Sequence, residues 1–265
     1  MHGLRRAFEP TEVKELTRRH GVVGTIVVQA CDELDETREL LGLAAQSDLI
    51  WGVVGWLDLS QADVENQLES LLAAPGGARL AGLRPRLVGG DDPWSAPAAR
   101  RGLAAIAAAG LIVDLLVDSS DLDHAVSFVS AYPELRFVID HAGSPPSTGE
   151  TAEWRRGLQG LAAHDNIAVK LSGLVNAGGT RRQPEDAVAC GRTAAELFGE
   201  DRVFFGSDWP VCLAVSSYEE VVSVARRARA GLDEGKVFAG NAQHWYRLSP
   251  PLPSGQPGEQ RVRAA

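Results

Sequence analysis

The run RFVIDH, residues 136–141, decides how this chain is read: Phe137, Val138 and Ile139 pass without a break into Asp140 and His141. A strand with one wet face alternates apolar and polar residues. An unbroken apolar run suits a parallel strand covered on both faces. Six further runs share the pattern: Gly24–Gln29, Ile50–Asp58, Ala81–Val88, Leu111–Asp118, Ile167–Leu174 and Val203–Asp208. Successive runs begin roughly 25 to 36 residues apart, the length of a βα unit.

The intervening segments have helical spacing. Leu103, Ile106 and Ala107 form one stripe, closed by Gly110; Leu158 pairs with Leu161, and Ala194 with Leu197 ahead of Gly199. Ser216 and Ser217, each three residues before a glutamate (Glu219, Glu220), predict a capped helix start after the seventh run. A helix over Thr11–His20 precedes the first strand. No self-similarity accompanies the period, so a repeat array is not expected. No glycine-rich phosphate loop follows any strand, which turns the choice from a nucleotide-binding doubly wound sheet towards a (β/α)8 TIM-type barrel. With a helix in first place, the first barrel strand is expected to be missing from this chain.

The 265 residues include 26 Lys and Arg against 35 Asp and Glu, a net charge of −9. That balance argues against a nucleic-acid partner, which calls for a basic face. Cys31, Cys190 and Cys212 are odd in number and far apart, pointing to a reducing cytoplasm rather than a disulfide framework. Neither a membrane span nor a signal peptide is read from the apolar pattern. One domain over residues 1–248 is expected, followed by a disordered Pro/Gly-rich tail over 249–265.

Active sites of such barrels lie at the C-terminal strand ends. Those ends carry Gln29; Trp56 and Asp58; Arg84 and Arg86; Asp114 and Asp118; Asp140 and His141; Lys170 and Ser172; Asp208 and Trp209. Polar groups on buried strands need partners, and seven strands delivering them to one rim exceeds what a core requires. Each also has a structural reading: His141 and Asp208 as caps, Arg84 in a salt bridge, Lys170 paired with a carboxylate or a substrate. His2, His20, His124, His164 and His244 read as helix or surface histidines, and the cysteines as small fillers. Histidine with aspartate at strand ends suits hydrolysis: one polarises a carbonyl or ligates a metal, the other takes a proton from water.

The segments RFVIDHAGSP, IAVKLSGL and RVFFGSDWPVC, with GNAQHWYRL near the end, resemble the amidohydrolase-related sugar-lactonase family, which includes L-fucono- and L-rhamnono-lactonases and 2-pyrone-4,6-dicarboxylate lactonases. The likeness runs from about Leu4 to Leu248. It implies a barrel hydrolase of carbohydrate catabolism that opens a sugar-acid lactone or related cyclic ester with water. By motif position Asp208 would be the general base and His141 would bind the carbonyl or a metal, with Lys170, Arg84, Gln29 and Trp209 lining the pocket. The cofactor expectation is one divalent metal held by His141 and Asp208, zinc foremost, or none. The partner expected is a small lactone, with neither nucleic acid nor membrane. One departure stands out: the family's opening Asp-x-His-x-His is not found. A degenerate, ligand-binding barrel is therefore the alternative, and a decarboxylase or amide hydrolase of the same superfamily a third.

Overall fold

The computed structural model describes residues 6–85, 97–147 and 151–251, and within them seven strands pair side by side in chain order. These are β1 (Thr25–Val28), β2 (Ile50–Gly55), β3 (Leu80–Leu83), β4 (Ile112–Leu115), β5 (Arg136–Ile139), β6 (Ile167–Leu171) and β9 (Val203–Phe205). Every pairing is parallel, and β1 and β9 stand at the two ends of the sheet. The sheet curls into a half-barrel of TIM type. All seven expected strands are present. A short hairpin after β6, β7 (Asn176–Ala177) and β8 (Thr180–Arg181), was not expected. Two residues per strand carry too little pattern to be read from sequence.

Helices α1 (Pro10–Arg19), α2 (Leu34–Ala45), α3 (Val64–Ala73), α4 (Pro97–Ala109), α5 (Leu122–Ala131), α6 (Ala152–Ala162), α7 (Pro184–Phe198) and α8 (Tyr218–Ala228) alternate with the strands, and α9 (Asn241–Trp245) closes the described chain. Their boundaries follow the sequence signals. Ser217 caps α8 by accepting the Glu220 N–H at 3.2 Å. Gly110, at φ 67°, takes the left-handed position that ends α4.

The unbroken apolar runs are explained by two cores. Val53, Val113, Phe137, Ile139, Val169 and Val203 face the helices, packing with Leu41, Leu103, Ile106, Leu158 and Leu161. Their neighbours Val54, Ile112, Val138, Ala168 and Phe204 face the concave side, where Trp245 and Tyr246 fill the space. Phe204 and Tyr246 meet edge-on with ring centroids 5.8 Å apart. Side chains of this size contribute about 1.5–3 kcal/mol each on full burial. At Gly52 a Cβ would come within 2.7 Å of the Leu248 side chain, so the chain beyond α9 packs closely on the sheet there. Arg86 and residues 252–265 of the expected tail lie outside the described residues.

Candidate active site

Alternation along the strands puts Asp114 beyond Ile112, Asp140 beyond Val138, and Lys170 and Ser172 beyond Ala168, all on the concave side. There they form a chain of charges. The Lys170 ammonium donates to Asp114 Oδ2 at 2.9 Å and Asp140 Oδ1 at 2.6 Å. Arg84 Nη1 donates to Asp140 Oδ2 at 2.9 Å. Arg84 Nη2 also donates to the Gln29 carbonyl, while the Gln29 amide donates back to the Arg84 carbonyl at 3.2 Å. At the other end the Tyr246 hydroxyl lies 2.8 Å from both oxygens of Asp114.

Burial alone would pull the Lys170 ammonium down, but the carboxylates of Asp114 and Asp140 outweigh it and hold it above its ordinary value. Asp140 is buried too, yet Lys170, His141 and Arg84 keep it ionised, well below the usual carboxylate range. At Asp114 burial wins over Lys170 and, with the charge of Asp140, raises the carboxyl. Tyr246 is raised by burial and by the two aspartates, so its hydroxyl stays a donor.

His141 begins a stretch of unusual backbone. His141, Ala142, Gly143 and Ser144 have φ of 52°, 52°, 66° and 47°, four left-handed residues in a row. The Ser144 N–H closes the turn on the His141 carbonyl at 3.0 Å. Left-handed conformation costs non-glycine residues roughly 1–2 kcal/mol each, and such strain persists only where surroundings over-determine it. Ser172 Oγ meets His141 Nδ1 at 2.8 Å and accepts its backbone N–H at 3.3 Å. Gly173 completes the seat, since a Cβ there would lie 2.8 Å from the imidazole.

Asp208, beyond β9, is also left-handed at φ 54°. Burial raises its carboxyl, Asp140 adds to that, and His141, Arg84 and Lys170 pull against it. The same five groups therefore share one electrostatic neighbourhood. Beside it, the Trp209 ring meets Phe8 edge-on at 5.4 Å, and Arg6 lies 3.8 Å over Phe8. Trp209 Nε1 and Arg84 Nε are buried donors without a partner among the described residues, a costly state that a ligand acceptor would relieve.

Of the expected residues, Gln29, Arg84, His141, Lys170 and Asp208 thus converge with Trp209 nearby. Lys170 found its carboxylate partner twice over. Asp58 instead turns to Ser60 and Gln61 beyond β2, and Asp118 is an exposed helix-start residue. Asp114, Asp140 and Ser172 stood among the strand ends without assigned roles; Tyr246 was not foreseen, because only the fold brings it 132 positions back to Asp114. Among the described residues no group of three or more His, Cys, Asp and Glu side chains could hold a metal ion. His141 and Asp208 supply two donors, one short of a catalytic zinc site, and the nearby carboxylates are engaged by Lys170 and Arg84. The described residues do not by themselves fit the metal.

A curled parallel sheet with a histidine and aspartates at its strand ends defines a hydrolase-like half-barrel of TIM type, and the chain belongs to the amidohydrolase family, whose model matches residues 1–248. An L-fucono-1,5-lactonase of Burkholderia ambifaria is 33% identical over 261 residues, covering 95% of this chain and 89% of that protein. One of Burkholderia multivorans is 33% identical over 267 residues, covering 94% and 88%. A crystal structure of an amidohydrolase from Burkholderia multivorans with bound zinc superposes with a TM-score of 0.86 at 32% identity, covering 94% of this chain and 92% of that one.

Proposed function

We propose that this chain opens an uncharged sugar-acid lactone of the L-fucono-1,5 type with water. The observation that carries the reading is Asp208, a half-buried carboxyl at the end of the last strand, raised above its ordinary range and set among His141, Arg84 and Asp140. A base whose proton affinity is raised towards working pH is a better acceptor from water. Asp208 takes that proton as the water oxygen bonds to the lactone carbonyl carbon. The His141 ring, held at Nδ1 by Ser172, keeps Nε2 for the carbonyl oxygen. Arg84 Nε and Trp209 Nε1 donate to the sugar's ring and hydroxyl oxygens. The carbonyl carbon then releases the ring oxygen, which takes the proton back from Asp208, leaving an open hydroxy acid and the base restored. Zinc would need at least one donor beyond His141 and Asp208.

The charge chain favours an uncharged substrate. The two carboxylates Asp114 and Asp140 are matched by the two cations Lys170 and Arg84. Lys170 and Arg84 each already bond a carboxylate, which supports an uncharged substrate over a dicarboxylate. The three cysteines are free thiols, which supports a cytoplasmic setting. A panel of aldonolactones beside 2-pyrone-4,6-dicarboxylate tests the reading. Turnover of the uncharged lactones is expected; preferential turnover of the dicarboxylate, or none of any lactone, overturns it.

A further inference from the structure

The left-handed turn at His141–Ser144 has to be held by something, and one of its carbonyls is gripped from behind. Trp154 on α6 is 2% exposed, and its Nε1 donates to the Ala142 carbonyl at 2.8 Å. Ala142 and Gly143 are themselves buried, and a Cβ on Gly143 would come within 3.0 Å of Leu122 and 3.1 Å of Leu158. Relaxing Ala142 to the right-handed region would swing its carbonyl away. Both that oxygen and the indole N–H would then be unpaired in a dry core, the arrangement folded proteins avoid. The hand of the turn and the Trp154 bond therefore stand or fall together. The direction of the His141 side chain follows from the hand of the turn.

We propose that Trp154 is a positioning residue: its indole N–H locks the left-handed turn that presents His141 to the substrate. The inference rests on the reading that His141 acts in this site, but it makes a statement about backbone conformation that can be read without turnover. Trp154→Phe keeps most of the ring in the core and removes only the donor. Adding Ala142→Gly to that variant removes the conformational cost of φ 52°.

Two readouts test it. Amide hydrogen exchange at Ser144, whose N–H closes the turn, is expected to accelerate about tenfold or more in Trp154→Phe and to recover most of that protection in the double variant. On a lactone turned over by the wild type, kcat is expected to fall about tenfold in Trp154→Phe with KM within about twofold, and the double variant is expected to regain most of the loss. A Ser144 amide as protected in Trp154→Phe as in the wild type overturns the inference. So does a loss, in folded protein well below its melting temperature, that Ala142→Gly leaves untouched, since Trp154 would then act by packing alone. Absence of wild-type turnover would refute the lactonase reading while leaving the exchange result to judge the turn.

Discussion

At Asp208 one side chain combines two costs, a partly desolvated carboxyl and a left-handed backbone. Because the folded carboxyl keeps its proton to a higher pH than the unfolded one, about 3.9, its ionisation costs stability. Stability contributed at low pH is lost as pH rises through the raised folded value. Asp208→Asn removes that cost and places a residue that tolerates φ near 54° better than most. We expect the variant to melt a few degrees higher by calorimetry, about 2–4 °C for each kcal/mol recovered; a lower melting temperature would count against Asp208 as a destabilised base. The acid limb of kcat/KM should lie above the ordinary carboxylate range, with activity falling as pH drops through it. Lys170 behaves oppositely. Replacing it with Met leaves buried Asp114 with Tyr246 as its one remaining donor and Asp140 with Arg84 alone, a loss of about 3–5 kcal/mol that a denaturant midpoint would register. The sequence showed that Lys170 on a buried strand needed a partner; only the parallel register of β4, β5 and β6 shows that the partners are two aspartates.

At the scale of elements, the strands were legible because apolar runs covered on both faces leave a strong signal, while the hairpin β7–β8 was too short to leave one. The left-handed turn after β5 was not legible at all. DHAGS reads as an ordinary strand exit, and its conformation depends on Trp154, Ser172 and Gly173 arriving from elsewhere. Gly173→Ala should therefore hurt disproportionately. It adds a Cβ 2.8 Å from the imidazole at a residue with φ 62°, so we expect destabilisation of at least about 1 kcal/mol and a fall in kcat exceeding any change in KM. A variant with normal kinetics and melting would show that the His141 seat is looser than described. The segment after α9 is coupled to the site too. Tyr246→Phe keeps the contact with Phe204 but deprives buried Asp114 of a donor, costing about 1–3 kcal/mol in urea unfolding.

For the whole molecule, the motifs pointed to the family and to a (β/α)8 TIM-type barrel short of its first strand; the comparisons bear out the family, and the seven-stranded half-barrel is consistent with that fold class. The net charge of −9 adds a consequence for kinetics. An uncharged lactone feels little of that field, whereas its product is a carboxylate that the protein repels. Raising salt from about 0.02 to 0.2 M, which shortens the screening length to below about 10 Å, should alter kcat/KM by less than about twofold. A steep salt dependence would indicate an anionic substrate. The central claim is that Asp208 activates water for attack on a lactone. It is tested most directly by the rate of L-fucono-1,5-lactone opening, above the spontaneous reaction, with the wild type and Asp208→Asn side by side. The account predicts clear wild-type turnover and a loss of about 10²–10⁴-fold in kcat with KM little changed; an Asp208→Asn protein that opens the lactone as fast as the wild type would contradict it.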